Sequence, residues 1–171
     1  MKVVRFSIVI FILALFCTGC AFKDIDKRFF VVAVAFDQSD NKDKPIKVTL
    51  KLGVPFAQVE PGKSNLDQIE SADSKTVSGA VELLEARTDK KLDFSHAKIF
   101  IIGEGLAKEN VKDVTDWTFR QRDVQQIAYL SIGSPTALNV LKVKPPSERL
   151  PGNALFLSFG DEGADSQYLV S

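Results

Sequence analysis

Residues 29–36 read Phe-Phe-Val-Val-Ala-Val-Ala-Phe, eight consecutive apolar residues rich in β-branched and aromatic types. Successive side chains of a strand point to opposite faces, so an uninterrupted apolar run leaves no face for water. The segment therefore reads as a strand buried on both sides, and it requires a sheet with layers above and below it. The polar cluster Asp37-Gln38-Ser39-Asp40-Asn41 that follows is a turn signal. Ile46, Val48, Leu50 and Leu52 then alternate with Lys47, Thr49 and Lys51. That period of two predicts a half-buried strand, paired with the first as a hairpin.

Downstream the pattern changes. Residues 53–62 hold two prolines and two glycines and read as an irregular connection, and 67–71 is a weak strand candidate. Thr76 can cap a helix whose inner face is Val77, Ala80, Val81 and Leu84. Residues 98–102 (Lys-Ile-Phe-Ile-Ile) form another apolar strand, closed by Gly103-Glu104-Gly105. Asn110, with Asp113 three places on, caps a second helix with Val111, Val114, Trp117 and Thr118 inward. A strand at 127–132 precedes a third helix, started by Ser134-Pro135, presenting Ala137, Leu138 and Leu141, and ended by Pro145-Pro146. Leu155-Phe156-Leu157 opens a last short strand. The order predicts an α/β fold of mixed α+β type: a central, partly parallel sheet with about three packed amphipathic helices, in a single domain.

The N-terminus indicates placement. Lys2 and Arg5 precede residues 6–17, which are apolar but for Ser7. Twelve helical residues cover about 18 Å, short of the ~30 Å hydrocarbon core, so the segment suits a secretory signal better than a permanent span. Thr18-Gly19-Cys20 places two small residues before a thiol and resembles a bacterial lipobox, although Cys17 stands where a branched aliphatic residue is usual. The expected organisation is a lipoprotein signal peptide over 1–19, a lipid-anchored tether over 20–28, the α/β domain over 29–150, and a tail over 151–171 that begins a further, truncated segment. Cys20 is the expected lipidation site, as an S-diacylglycerol cysteine open to N-acylation. Two acyl chains on one residue suffice for stable anchoring.

The chain carries 22 basic and 22 acidic residues. Loss of Lys2 and Arg5 with the signal leaves 20 against 22, a net charge of −2. No basic excess supports nucleic-acid binding, and nothing in this charge draws the domain flat onto anionic lipid. Two cysteines cannot staple a small fold, and no His, Cys, Asp and Glu grouping has metal-ligand spacing. Ser95 and His96, the single histidine, raise the idea of a hydrolase. Neighbours on an extended chain point to opposite faces, which argues against a nucleophile–base pair. Gly103-Glu104-Gly105 lacks the rest of any phosphate-loop pattern and reads as a turn. Arg120, Arg122 and Asp123 read as a solvated surface cluster, and Trp117 as core. The expected reading is no enzyme, no catalytic residues, no metal and no cofactor.

In order along the chain, several blocks resemble the N-terminal part of the Ger(x)C spore germination lipoproteins, the C subunits of nutrient germinant receptors. They are Thr18-Gly19-Cys20 with the strand over 30–37; Lys75-Thr76-Val77-Ser78-Gly79-Ala80-Val81; the run His96 to Glu104 with Leu106-Ala107-Lys108; Phe119-Arg120-Gln121-Arg122-Asp123-Val124 leading to Ala128-Tyr129-Leu130; and Leu141-Lys142-Val143-Lys144-Pro145-Pro146. Ala21-Phe22 replaces the Trp and charged residue common after the family's cysteine, and family members are considerably longer. The resemblance implies a non-enzymatic subunit on the outer face of the cytoplasmic membrane that becomes the spore inner membrane. It would be held by a lipid at Cys20 and partnered by polytopic A- and B-type receptor subunits. The resemblance supplies no ligand-binding residue. The competing expectation is a small-solute-binding lipoprotein that serves a transporter or sensor.

Overall fold

A computed structural model describes residue 5 and residues 27–53, 67–88, 90–125 and 127–143. Cys20, all of the expected signal but Arg5, most of the expected tether, the tail and the strand expected at 155–157 lie outside the described residues. The elements are β1 (Arg28–Gln38), β2 (Ile46–Gly53), β3 (Asp67–Ser74), α1 (Val77–Glu85), β4 (Lys91–Asp93), a 3₁₀ turn (Phe94–His96), β5 (Ile99–Gly103), α2 (Glu104–Glu109), α3 (Lys112–Arg120), β6 (Tyr129–Gly133) and α4 (Ala137–Leu141). The sheet runs β3-β2-β1-β5-β6, with β4 also paired to β1. β1, β2 and β3 pair antiparallel in succession. β4 and β5 both lie parallel to β1, and β6 lies parallel to β5. The expected hairpin and mixed sheet are thus present, with four helices among the described residues.

β1 sits at the centre because its side chains serve both faces. Val34 and Phe36 enter one core with Val48, Leu50, Leu52, Phe100 and Ile102, beneath Val77, Ala80, Val81 and Leu84 of α1 and Val114 of α3. Ala33 and Ala35 enter the other with Ile99 and Ile101, beneath Ala137 and Leu141 of α4. A register shift between Val31 and Ala33 lets Val31 join the first core although it lies an odd number of positions, three, before Val34. Trp117 packs edge-on to Phe36 and Phe94, with ring centroids 6.0 and 5.4 Å away. It is a core residue, as expected.

Several local expectations change. β1 continues through the supposed turn to Gln38 and buries Asp37. β3 is a full strand extending to Ser74. Thr49 and Lys51 were expected on a solvated face of β2, yet both are fully buried. Thr49 shares a hydrogen bond with Ser71 of β3, and Lys51 Nζ donates to the Leu141 carbonyl at 2.8 Å, so the second face is covered here too. β6 begins at Tyr129, which leaves Ile127 outside the strand. Thr136 caps α4 by accepting from the Asn139 amide, and Pro135 lies before the helix, after a cis peptide bond. The caps at Thr76 and Asn110 are formed: Thr76 accepts from the Gly79 amide, and Asn110 accepts from the Lys112 amide while donating to Asp113. β4, α2 and the 3₁₀ turn are too short to leave a periodic signal.

Candidate functional site

The Ser95–His96 geometry differs from the extended-chain expectation. The two residues belong to a 3₁₀ turn, which brings Ser95 Oγ within 3.1 Å of His96 Nδ1. Asp93 Oδ1 accepts from both the Ser95 hydroxyl and the Ser95 amide, while Arg28 pairs with Asp93 Oδ2. Burial pushes the Asp93 carboxyl up, but the two bonds from Ser95 and the Arg28 guanidinium outweigh it and hold the group at about 2. An ionised Asp93 keeps the Ser95 proton, so the hydroxyl offers His96 only a lone pair. A serine–histidine nucleophile needs the opposite polarity, with histidine accepting the hydroxyl proton. His96 is exposed and lies edge-on to Phe30, 4.8 Å between centroids. The cluster ties the start of β1 to β4.

The second polar cluster surrounds α4. Asp37 accepts from the Ala137 and Leu138 amides at 2.7 and 2.9 Å, and Lys51 binds the carbonyl at the other end of the helix. A carboxylate at the N-terminus and an ammonium at the C-terminus both complement the helix dipole. Gly103 has ordinary extended backbone angles (φ −63°, ψ 144°), so no turn demands it. A Cβ there would collide with Asp37 Oδ1 and crowd the Ala137 amide. At Gly133 a Cβ would lie 2.8 Å from Ile101 and 2.9 Å from Val140. Close approach of α4, rather than chain reversal, explains both glycines. Glu104 accepts from Lys108 and from Ser134 Oγ, which hold its carboxyl below the usual range. The Gly103-Glu104-Gly105 segment therefore opens α2 and braces the β6–α4 connection.

An apolar flank remains. A groove of about 340 Å³ lies between the end of α3, the segment after it and the start of β6, over Phe100. Thr118, Phe119, Val124, Ala128, Tyr129 and Leu130 line most of it, and its lining carries no charged side chain. Phe119 is 86% exposed, Ile132 68%, Ile127 60% and Leu130 44%. Leu130 and Ile132 share a face because they are two residues apart on β6, and β6 pairs only with β5 among the described residues. Clustered exposure of this kind marks a contact surface more readily than a reaction site. Arg120 and Arg122 lie beside it, exposed as expected, with Arg120 3.9 Å from Asp116.

Comparison with known proteins supplies the class. A family model described as the spore germination protein N-terminal domain matches residues 22–168. The chain belongs to the Ger(x)C family. Spore germination protein B3 of Bacillus subtilis (strain 168) is 24% identical over 149 residues, covering 86% of this chain and 39% of that protein. The chain thus spans about two-fifths of the length of this curated relative. No solved structure matches it. Within this Ger(x)C domain, the blocks at 119–124 and 128–130 border the groove, and the block at 96–108 builds the 3₁₀ turn, β5 and α2. Among the described residues no group of His, Cys, Asp and Glu could hold a metal ion, and no helix is long and apolar enough to cross a membrane.

Proposed function

We propose that this chain is a lipid-anchored, non-enzymatic subunit of a nutrient germinant receptor that acts through protein contacts at the spore inner membrane. Polytopic A- and B-type subunits are its partners, and Cys20 carries the anchoring lipid. The observation that carries this reading is the family match over residues 22–168, which begins two residues after a cysteine preceded by an apolar run and two small residues. The polarity of the Asp93–Ser95–His96 cluster supports a role without turnover. The organisation that goes with this reading is a signal over 1–19, a tether over 20–28, a domain over 29–150 and a further segment from 151.

Solute capture is the competing function. The groove falls at the low end of small-molecule site volumes, but its uncharged lining offers no counter-ion for the ammonium or carboxylate of an amino acid. Affinity purification of the lipidated protein from spore membranes tests the proposal. Polytopic receptor subunits should co-purify, and germination in response to nutrients should fall in a Cys20→Ala strain. A protein that leaves the membrane alone, in spores that germinate normally, contradicts it.

A further inference from the structure

The two edges of the sheet are built differently. β3, at one edge, carries the carboxylates of Asp67, Glu70 and Asp73. Charge on an edge strand discourages another strand from pairing there. β6, at the other edge, reads Tyr-Leu-Ser-Ile-Gly, with no charge and no proline. The Tyr129 amide donates to the Lys98 carbonyl beside it. Successive residues of a strand turn their backbone groups to opposite sides, so the N–H and C=O of Leu130 and Ile132 face away from β5. Among the described residues no strand pairs with that side. β6 thus presents an open ladder flanked by apolar side chains, the condition under which an extended segment adds to a sheet.

The chain itself supplies such a segment. Beyond Val143, Pro145, Pro146, Pro151 and Gly152 give the sequence the composition of a connection. Residues 154–159 then read Ala-Leu-Phe-Leu-Ser-Phe, closed by Gly160-Asp161-Glu162-Gly163. A short apolar run bounded by turn residues is a strand signal. The family match continues to residue 168, so this run belongs to the same family unit as the sheet. Its reach is sufficient. Lys51, whose Nζ holds the Leu141 carbonyl, begins a row that crosses the sheet through Ala33 and Ile99 to Tyr129. Three strand spacings are about 14 Å, and the layer of α4 lies about 10 Å from the sheet. The twelve residues from Val143 to Leu155 span up to about 40 Å. A segment joined to the domain also acts at an effective concentration of about a millimolar, which a free partner strand would have to match.

We propose that residues 154–159 add to the open edge of β6 as a further strand. Leu155 and Leu157 then lie beside Leu130 and Ile132 in the plane of the sheet. The added strand widens the apolar flank instead of closing it, and Phe119 and Ile127, outside β6, stay exposed.

Hydrogen exchange resolved to single residues, on the full chain with phosphatidylcholine vesicles, tests this. The Leu130 and Ile132 amides should be protected at high dilution. Leu157→Ser should speed their exchange about ten-fold or more, the factor that goes with losing a buried leucine, and leave the amides of β1 unchanged. Fast exchange at both positions in the parent chain contradicts the proposal, as do equal rates in Leu157→Ser. Protection that appears only as protein concentration rises assigns the edge to a second copy. Protection that requires added spore membrane proteins assigns it to a partner strand. Either outcome overturns the proposal. A photo-crosslinker gives an independent readout: p-benzoylphenylalanine in place of Ile132 should join to residues 154–159 of the same chain in the pure protein. A crosslinked dimer, or capture of other segments alone, contradicts it.

Discussion

Two carboxylates carry more of the structure than their sequence context signals. Asp93 is held near 2 by Ser95 and Arg28, below its ordinary value of 3.8. A lowered carboxyl stabilises the folded form above its unfolded pKa, and that contribution is lost as pH falls through the folded pKa. Asp93→Asn should therefore cost about 2 kcal/mol at neutral pH. It should also flatten the fall in stability between pH 4 and pH 2. Urea denaturation at a series of pH values measures both. Asp37→Ala leaves two amides of α4 without their acceptor and should cost about 3 kcal/mol, read in the same way. Asp37 follows a strand within a run of polar residues, so a turn was the natural reading of it. Nothing local reveals that the acceptor's partners lie a hundred residues away.

At the scale of elements, α4 is short and gains little from its own hydrogen bonds. Asp37 and Lys51 grip its two ends, and Gly103 and Gly133 let it sit close to the sheet. A Gly103→Ala methyl group displaces the same carboxylate that Asp37→Ala removes. The Gly103→Ala/Asp37→Ala double variant should therefore be less destabilised than the sum of the singles, and a double-mutant cycle by denaturation decides this. The long elements were legible because their periodicity survives in sequence: β1, β2, α1 and β5 follow from apolar spacing and caps. β4 and α2 were not, since three and six residues define no period. β2 misled at Thr49 and Lys51, because alternation shows which residues avoid one core but not that a second layer covers the other face. The apolar flank was illegible for a related reason. Phe119 follows the inner stripe of α3, and only the packed helix shows it pointing to solvent.

For the whole molecule, the parallel run of β1, β5 and β6 puts the start of β1 and the start of β6, which borders the apolar flank, toward the same end of the sheet. The opposite end holds Asp37, the loop over 39–45 and the start of α2, where charges of both signs mix. The exposed Phe119, Ile127, Leu130 and Ile132 suit a domain that works by contact. Replacing Phe119 and Ile127 with serine should leave the free energy of unfolding within about 0.5 kcal/mol of the parent, as expected for exposed positions, while nutrient-triggered germination of the variant strain, the readout of a contact role for this flank, should fall. The account as a whole rests on attachment through residue 20. Intact-mass and peptide mass spectrometry of the protein extracted from spore inner membranes tests it directly. The account predicts a mature N-terminus at Cys20 carrying a diacylglycerol thioether, and an unmodified Cys20 in a chain free of the membrane would contradict it.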